Sequence, residues 1–376
     1  MNSIVQCLSA TVPLARYFMD GSYRPHLNRT NPLGTQGVLA ESFAVLVRTM
    51  WSGQYSVISP VGFREAIGRF APQFKGDDQQ DSQELLVFLL DGLHEDLNLV
   101  VLPPGAKPPA HVTDTMSDQA LEALPVRQAM ELAWEKHLLR DRSVVVGLFQ
   151  GQIQSRLRCI TCGQTSTTYA PFTTLSVPVP SAASVADGAQ LARVTLAQCL
   201  ESFVQEEILD GDDQWFCPRC QVHRRTSKRL VITRLPDVLI IHLKRFSFSG
   251  PFRNKLETDV DFPVRGLNMD RFIAAPLRPP TSTNGSMMGS SPNYPALASA
   301  SASNSNSTAG ESSLYDLYAV SNHYGSLTGG HYTAHVRNGL RDQWYLFDDS
   351  RVLESDETKV KTKAAYNLFY VRNTLK

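Results

Sequence analysis

Apolar residues recur at helical spacing through most of the first 145 positions and give way to strand-like alternation after them. Ile4, Val5, Leu8, Leu14 and Phe18 fit one helical stripe, and no start signal precedes it. Leu39, Phe43, Leu46 and Met50 make a second stripe. Ser59-Pro60 opens a third, with Phe63, Ile67 and Phe70. Leu85, Phe88, Leu89, Gly92 and Leu93 make a fourth, and Asp81 or Ser82 can cap it. Residues 102–125, rich in proline and alanine, read as an exposed connection, followed by a helix from Val126 to about Arg140 with Trp134 inward. Strand-like alternation begins at Leu148–Ser155. Val238–Leu243 is a nearly continuous apolar run, the pattern of a strand buried on both faces. Tyr332–Arg337 and Gln343–Phe347 alternate around the turn residues Asn338–Asp342 and predict a hairpin. Ala365–Val371 alternates as a closing strand. Residues 276–313 turn to proline, serine, asparagine and glycine, a composition that predicts a disordered surface insertion.

Composition narrows the classes. A chain of 376 residues can bury a large core. Lysine plus arginine, 36, balance aspartate plus glutamate, 36, so no basic surface argues for nucleic acid. No apolar run approaches the ~18 residues of a membrane span, and no secretory signal pattern opens the chain. Six cysteines without a secretory context point to a reducing compartment and to metal binding rather than disulfides.

Two clusters carry chemistry. The predicted hairpin returns Asp348 beside His331, where a carboxylate can orient an imidazole and stabilise its charged form. Cys159-Ile-Thr-Cys162 and Cys217-Pro-Arg-Cys220 each present two thiolates from a tight knuckle, a pairing suited to one tetrahedral structural zinc. Residues 163–216 must then form a small sheet that brings the knuckles together. Cys199 reads as core in a helix-like Thr195–Phe203 segment, and His242 as structural inside a central strand.

Three stretches together resemble the ubiquitin-specific proteases, papain-like thiol isopeptidases. Gly329-Gly330-His331-Tyr332 with Asp348-Asp349-Ser350 resembles the family's His box. Gln79-Gln80-Asp81-Ser82-Gln83-Glu84 resembles its Gln-Gln-Asp-x-Gln-Glu box. The Leu235–Phe246 and Ala365–Tyr370 stretches resemble two of its palm strands. The resemblance covers the whole chain apart from the 276–313 insertion. It implies an α+β papain-like fold in a single domain: a helical thumb (1–145), zinc-ribbon fingers (146–235) and an antiparallel β palm (236–376). It implies hydrolysis of the isopeptide bond after the C-terminal glycine of ubiquitin, with ubiquitin and ubiquitinated proteins as partners. His331 would be the general base, Asp348 its orienting residue, and Asp349 a support for Asp348 or a solvent ligand. Gln80, Asp81, Glu84, Gly329, Gly330 and Tyr332 would bind the ubiquitin tail, while the zinc would be non-catalytic.

One part of the pattern is missing. Met1–Leu8 resembles the second half of the family's Cys box, Gly-Asn-Thr-Cys-Tyr-Met-Asn-Ser, which places the nucleophilic cysteine two residues before Met1. Cys7 lies more than two helical turns further along and reads as a small buried hydrophobe. The expectation is an N-terminally truncated deubiquitinase, inactive as written. The alternative is a catalytically dead ubiquitin-binding protein. The expected location is cytoplasmic, endosome-associated or nuclear.

Overall fold

The computed structural model describes residues 1–76, 78–102, 105–106, 108–180, 193–249, 252–274, 312–326 and 329–375. The predicted insertion 276–313 lies outside these except for Ser312 and Ser313, both tied down. The Arg372 guanidinium donates to the Ser312 carbonyl at 2.7 Å, and Ser313 donates to the Asp270 carboxylate.

The first apolar stripe is two helices, Asn2–Ser9 and Val12–Met19. Pro13 divides them because it has no N–H to give the Ser9 carbonyl. That carbonyl accepts from the Trp51 indole instead, at 3.0 Å. Val38–Trp51 and Val61–Phe70 follow as read from their periodicity. Helix Ser82–Asp96 starts where the Asp81 carboxylate accepts from the Gln83 N–H at 2.7 Å. At its other end the fully buried Asp96 carboxylate takes N–H and O–H donors from Thr35, Gly37 and Ala40, which locks it to the start of helix Val38–Trp51. The 102–125 connection is less irregular than expected, with a 3₁₀ turn at Val112–Thr115 and a short helix at Asp118–Glu122. Helix Val126–Leu138 buries no residue completely, and Trp134 sits half-buried under the Arg234 guanidinium, 4.8 Å from its ring. Val144–Phe149 is a further helix, so the strand begins only at Gly151.

A four-stranded antiparallel sheet follows, in the order Thr165–Phe172, Gly151–Cys159, Thr226–Arg234, Glu207–Leu209. The hairpin Trp215–Cys217/Val222–Arg224 stands at its end. A larger eight-stranded sheet runs Arg351–Ser355, Gln343–Asp348, Gly330–Asn338, Leu314–Gly325, Ala365–Arg372, Val238–Lys244, Leu175–Pro178, with Leu267–Asn268 beside the fourth of these. The last pair is parallel, so the sheet is mixed rather than purely antiparallel.

Both faces of this sheet are covered. Val238 and Ile240 join the helices' core with Ile4, Phe43 and Leu89. Leu239, Ile241 and Leu243 join a second core on the opposite face, with Leu196, Leu200 and Phe262. Period-two side chains between two apolar layers are why this strand reads as an unbroken apolar run. Leu175–Pro178 and helix Leu196–Val204 belong to the second core, although sequence position put them in the fingers. Their apolar side chains fill the face that the N-terminal helices leave open.

Candidate active site and metal centre

Strands Gly330–Asn338 and Gln343–Asp348 pair with Ala334 opposite Phe347, so His331 and Asp348 both emerge at the open end of the hairpin. There the His331 Nε2 lies 2.5 Å from the Asp348 carboxylate, with both side chains nearly half-exposed (48% and 40%). Asp348 and Arg351 pair across the next turn, in which Asp349 adopts a left-handed backbone, φ 49°. The Asp349 carbonyl accepts from Asn2. Asp349 thus anchors its turn to the first helix through its backbone, while its carboxylate stays within 4.8 Å of the His331 ring nitrogen and the Asp348 carboxylate.

Next to this pair is a cleft of about 540 Å³ between helices and sheet, bordered by Met1, Asn2, Gln79, Gly330, His331 and Tyr332. The first turn of helix Asn2–Ser9 thus faces the imidazole. Cys7 does not: its side chain is fully buried and burial drives its thiol pKa far up. Cys199 is also buried, its thiol pushed up to about 11 by burial.

The predicted tail-binding residues separate into distinct environments. Gln80 and Asp81 line the cleft. Asp81 is more than a helix cap, because its second oxygen accepts from the buried Tyr366 hydroxyl at 2.7 Å. The Tyr332 hydroxyl accepts from the Ser82 N–H at 3.3 Å, and burial pushes its phenol up to about 12. Two tyrosines of the sheet thus hold the start of helix Ser82–Asp96. Glu84 is exposed outside the cleft lining.

Gly330 donates its N–H to the side chain of Gln79, a contact that joins helical region and sheet across the cleft and was not foreseen. The Gln-Gln pair was visible in the sequence, but nothing in it says which glutamine reaches the hairpin. Gly330 has to be glycine for a reason behind the cleft: a Cβ would fall on the His323 imidazole and the Tyr324 carbonyl oxygen. Gly329 lies at the same hairpin end, beside the Gln79 side chain. His242, the structural histidine, is bonded to Ser176 at 3.0 Å and packs edge-on to Tyr366.

Cys159, Cys162, Cys217 and Cys220 converge so that their sulfurs all lie within 4.8 Å of one another, Cys162 and Cys217 at 3.5 Å. Each knuckle closes on a left-handed residue, Gly163 (φ 73°) or Gln221 (φ 57°), whose N–H bonds back to the first cysteine's carbonyl. The backbone N–H of Cys162 lowers Cys159 to about 7, while its neighbouring cysteines, Cys162 first, push Cys220 up to about 12. Four thiolates this close repel unless a cation sits among them, and the spacing matches the ~3.8 Å edge of a tetrahedron with ~2.3 Å metal–sulfur bonds. These four residues are within reach of a single metal ion.

Residues 1–370 match the family model for ubiquitin carboxyl-terminal hydrolases. The chain is 39% identical over 387 residues to ubiquitin carboxyl-terminal hydrolase 4 of Saccharomyces cerevisiae, covering 99% of this chain and 38% of that protein. It is 38% identical over 371 residues to human ubiquitin carboxyl-terminal hydrolase 2, covering 98% of this chain and 53% of that one. It therefore spans about half, or less, of these relatives' length. Among solved structures, the SAGA Ubp8/Sgf11/Sus1/Sgf73 DUB module bound to ubiquitin aldehyde is similar in fold, with a TM-score of 0.64 at 21% identity, covering 99% of this chain and 66% of that one.

Proposed function

Because the chain belongs to the ubiquitin carboxyl-terminal hydrolase family, with the α+β fold of ubiquitin-specific proteases, we propose that it is the peptidase core of a deubiquitinase. Its substrate is ubiquitin joined through its C-terminal glycine to an amine, and its reaction is thiol-dependent hydrolysis of that amide. The observation that carries this reading is the His331–Asp348 pair at the mouth of a cleft that helical region and sheet build together. With Nε2 on the carboxylate, Nδ1 of His331 is left to take a proton from an attacking thiol and return it to the leaving amine. Gln80, Asp81 and Gly330 border the path along which an extended tail would reach His331, and Tyr332 supports it.

None of the six cysteines serves as the nucleophile. Cys7 and Cys199 are buried in the two cores, and the other four make up the metal cluster. The place for a reactive thiolate is the Met1–Asn2 end of the first helix, where unpaired N–H groups favour negative charge. The 376-residue chain should therefore bind ubiquitin without cleaving it. A variant extended before Met1 by Gly-Asn-Thr-Cys-Tyr should hydrolyse a fluorogenic ubiquitin amide, and the same extension with serine for cysteine should not. Turnover by the unextended chain, abolished by alkylation, would contradict the assignment.

The cysteine cluster is best explained by structural Zn²⁺, which would brace the end of the four-stranded sheet against the body of ubiquitin. Support comes from the all-sulfur donor set and its tetrahedral spacing. One zinc per chain by metal analysis, lost in Cys217→Ser, is the expected result.

A further inference from the structure

Lys255 has no place in the catalytic reading above, yet it is wired into the end of the hairpin that carries the site. Its ammonium donates to the His323 carbonyl at 2.7 Å and to the Gly325 carbonyl at 3.0 Å. These two carbonyls lie where strand Leu314–Gly325 ends, opposite Tyr332 and Gly330 in register. Gly325 takes a left-handed backbone (φ 105°), possible only because it lacks a Cβ. Beyond it, the Ser326 N–H bonds to the Gly329 carbonyl at 2.8 Å, and the chain returns through Gly329, Gly330 and His331.

The lysine itself is held. Its backbone pairs with Phe246, and the next N–H, of Leu256, bonds to the Arg245 carbonyl at 2.6 Å. Arg245 is in turn fully buried, its guanidinium donating to the carbonyls of Ala365, Leu256 and Thr258. The ammonium thus reaches the hairpin from a support fixed to the sheet's central strand.

We propose that Lys255 is a positioning residue: by gripping the carbonyls of His323 and Gly325 it sets the hairpin end that presents Gly330 and His331 to the ubiquitin tail. This rests on the deubiquitinase reading for its consequence, though not for the clamp itself. The Gln79–Gly330 contact holds the same end from the helical side, so the hairpin end is gripped from both walls of the cleft. A cation bonded to two carbonyls fixes both the direction and the spacing of the turn, which a neutral side chain of similar length cannot do.

The test compares the 376-residue chain with Lys255→Met, Lys255→Gln and Lys255→Arg, by amide hydrogen exchange and by ubiquitin titration calorimetry. The expected result for Lys255→Met is faster exchange confined to Tyr324, Gly325, Gly330 and His331, with ubiquitin affinity weakened about ten-fold. Lys255→Arg should restore both, and Lys255→Gln should fall between. Unchanged exchange at those amides in Lys255→Met and Lys255→Gln overturns the clamp. Faster local exchange with unchanged ubiquitin affinity overturns the positioning role. If Lys255→Met loosens the whole sheet, the Lys255→Arg and Lys255→Gln pair decides by the same two readings. Failure of the unaltered chain to bind ubiquitin sinks the functional reading instead, and the exchange pattern still rules on the clamp.

Discussion

At the scale of the residue, the glycine that precedes His331 has a packing role in addition to its place at the cleft. Gly330 borders the cleft, but its missing Cβ makes room for the His323 imidazole behind it. Gly330→Ala should therefore push the hairpin end off His323 and cost about 1–3 kcal/mol, measured by denaturant unfolding, together with ubiquitin binding. A variant as stable as the parent would mean that His323 can yield. Tyr366 acts through Asp81. Removing its hydroxyl in Tyr366→Phe leaves one carboxylate oxygen without its buried donor, for an expected loss of about 1–3 kcal/mol. Because Asp81 also borders the cleft, ubiquitin affinity should fall in step.

The elements differ in how much supports them. The hairpin Trp215–Cys217/Val222–Arg224 has exposed side chains at Phe216 and Val222 and little apolar packing of its own. Its shape depends on the cysteine cluster. Treatment with a zinc chelator, or Cys220→Ser, should raise hydrogen exchange across residues 207–224 while the strands Val238–Lys244 and Ala365–Arg372 stay protected. Uniform protection in the metal-free chain would show that this sheet stands without the ion. The large sheet needs no such brace, since its central strand Ala365–Arg372 is buried along almost its entire length.

For the whole molecule, three histidines of the large sheet, His323 and His335 buried and His242 half-buried, set a pH limit. Burial, with Lys244 near His242 and Lys255 near His323, holds those two at about 4. Burial holds His335 at about 4 as well, partly offset by the Asp356 charge. Each is thus neutral in the folded chain and takes up a proton near 6.5 once unfolded. The unfolded state binds more protons between pH 6.5 and 4, so stability falls as pH drops through that window. The slope is up to roughly 1.4 kcal/mol per pH unit for each histidine. Guanidinium midpoints at pH 7 and pH 5 test this. A higher midpoint at pH 5 would contradict it.

Much of this arrangement could be read in the sequence because it follows from local chemistry. Helical and strand periods expose the faces that seek a core. Asp81 before an apolar stripe marks a helix start, and paired cysteines two residues apart make knuckles. A histidine and an aspartate at the same end of a predicted hairpin meet without knowledge of the rest of the chain. What the tertiary structure alone decided are relations between distant segments. Gln79 rather than its neighbour reaches Gly330, 251 positions away. Leu175–Pro178 leaves its neighbours to edge the large sheet in parallel. Lys255 finds its two carbonyls 68 and 70 positions on. Such pairings are selected by which face remains open once the layers have packed. A one-dimensional pattern names the groups that must be satisfied, and only the folded geometry chooses their partners.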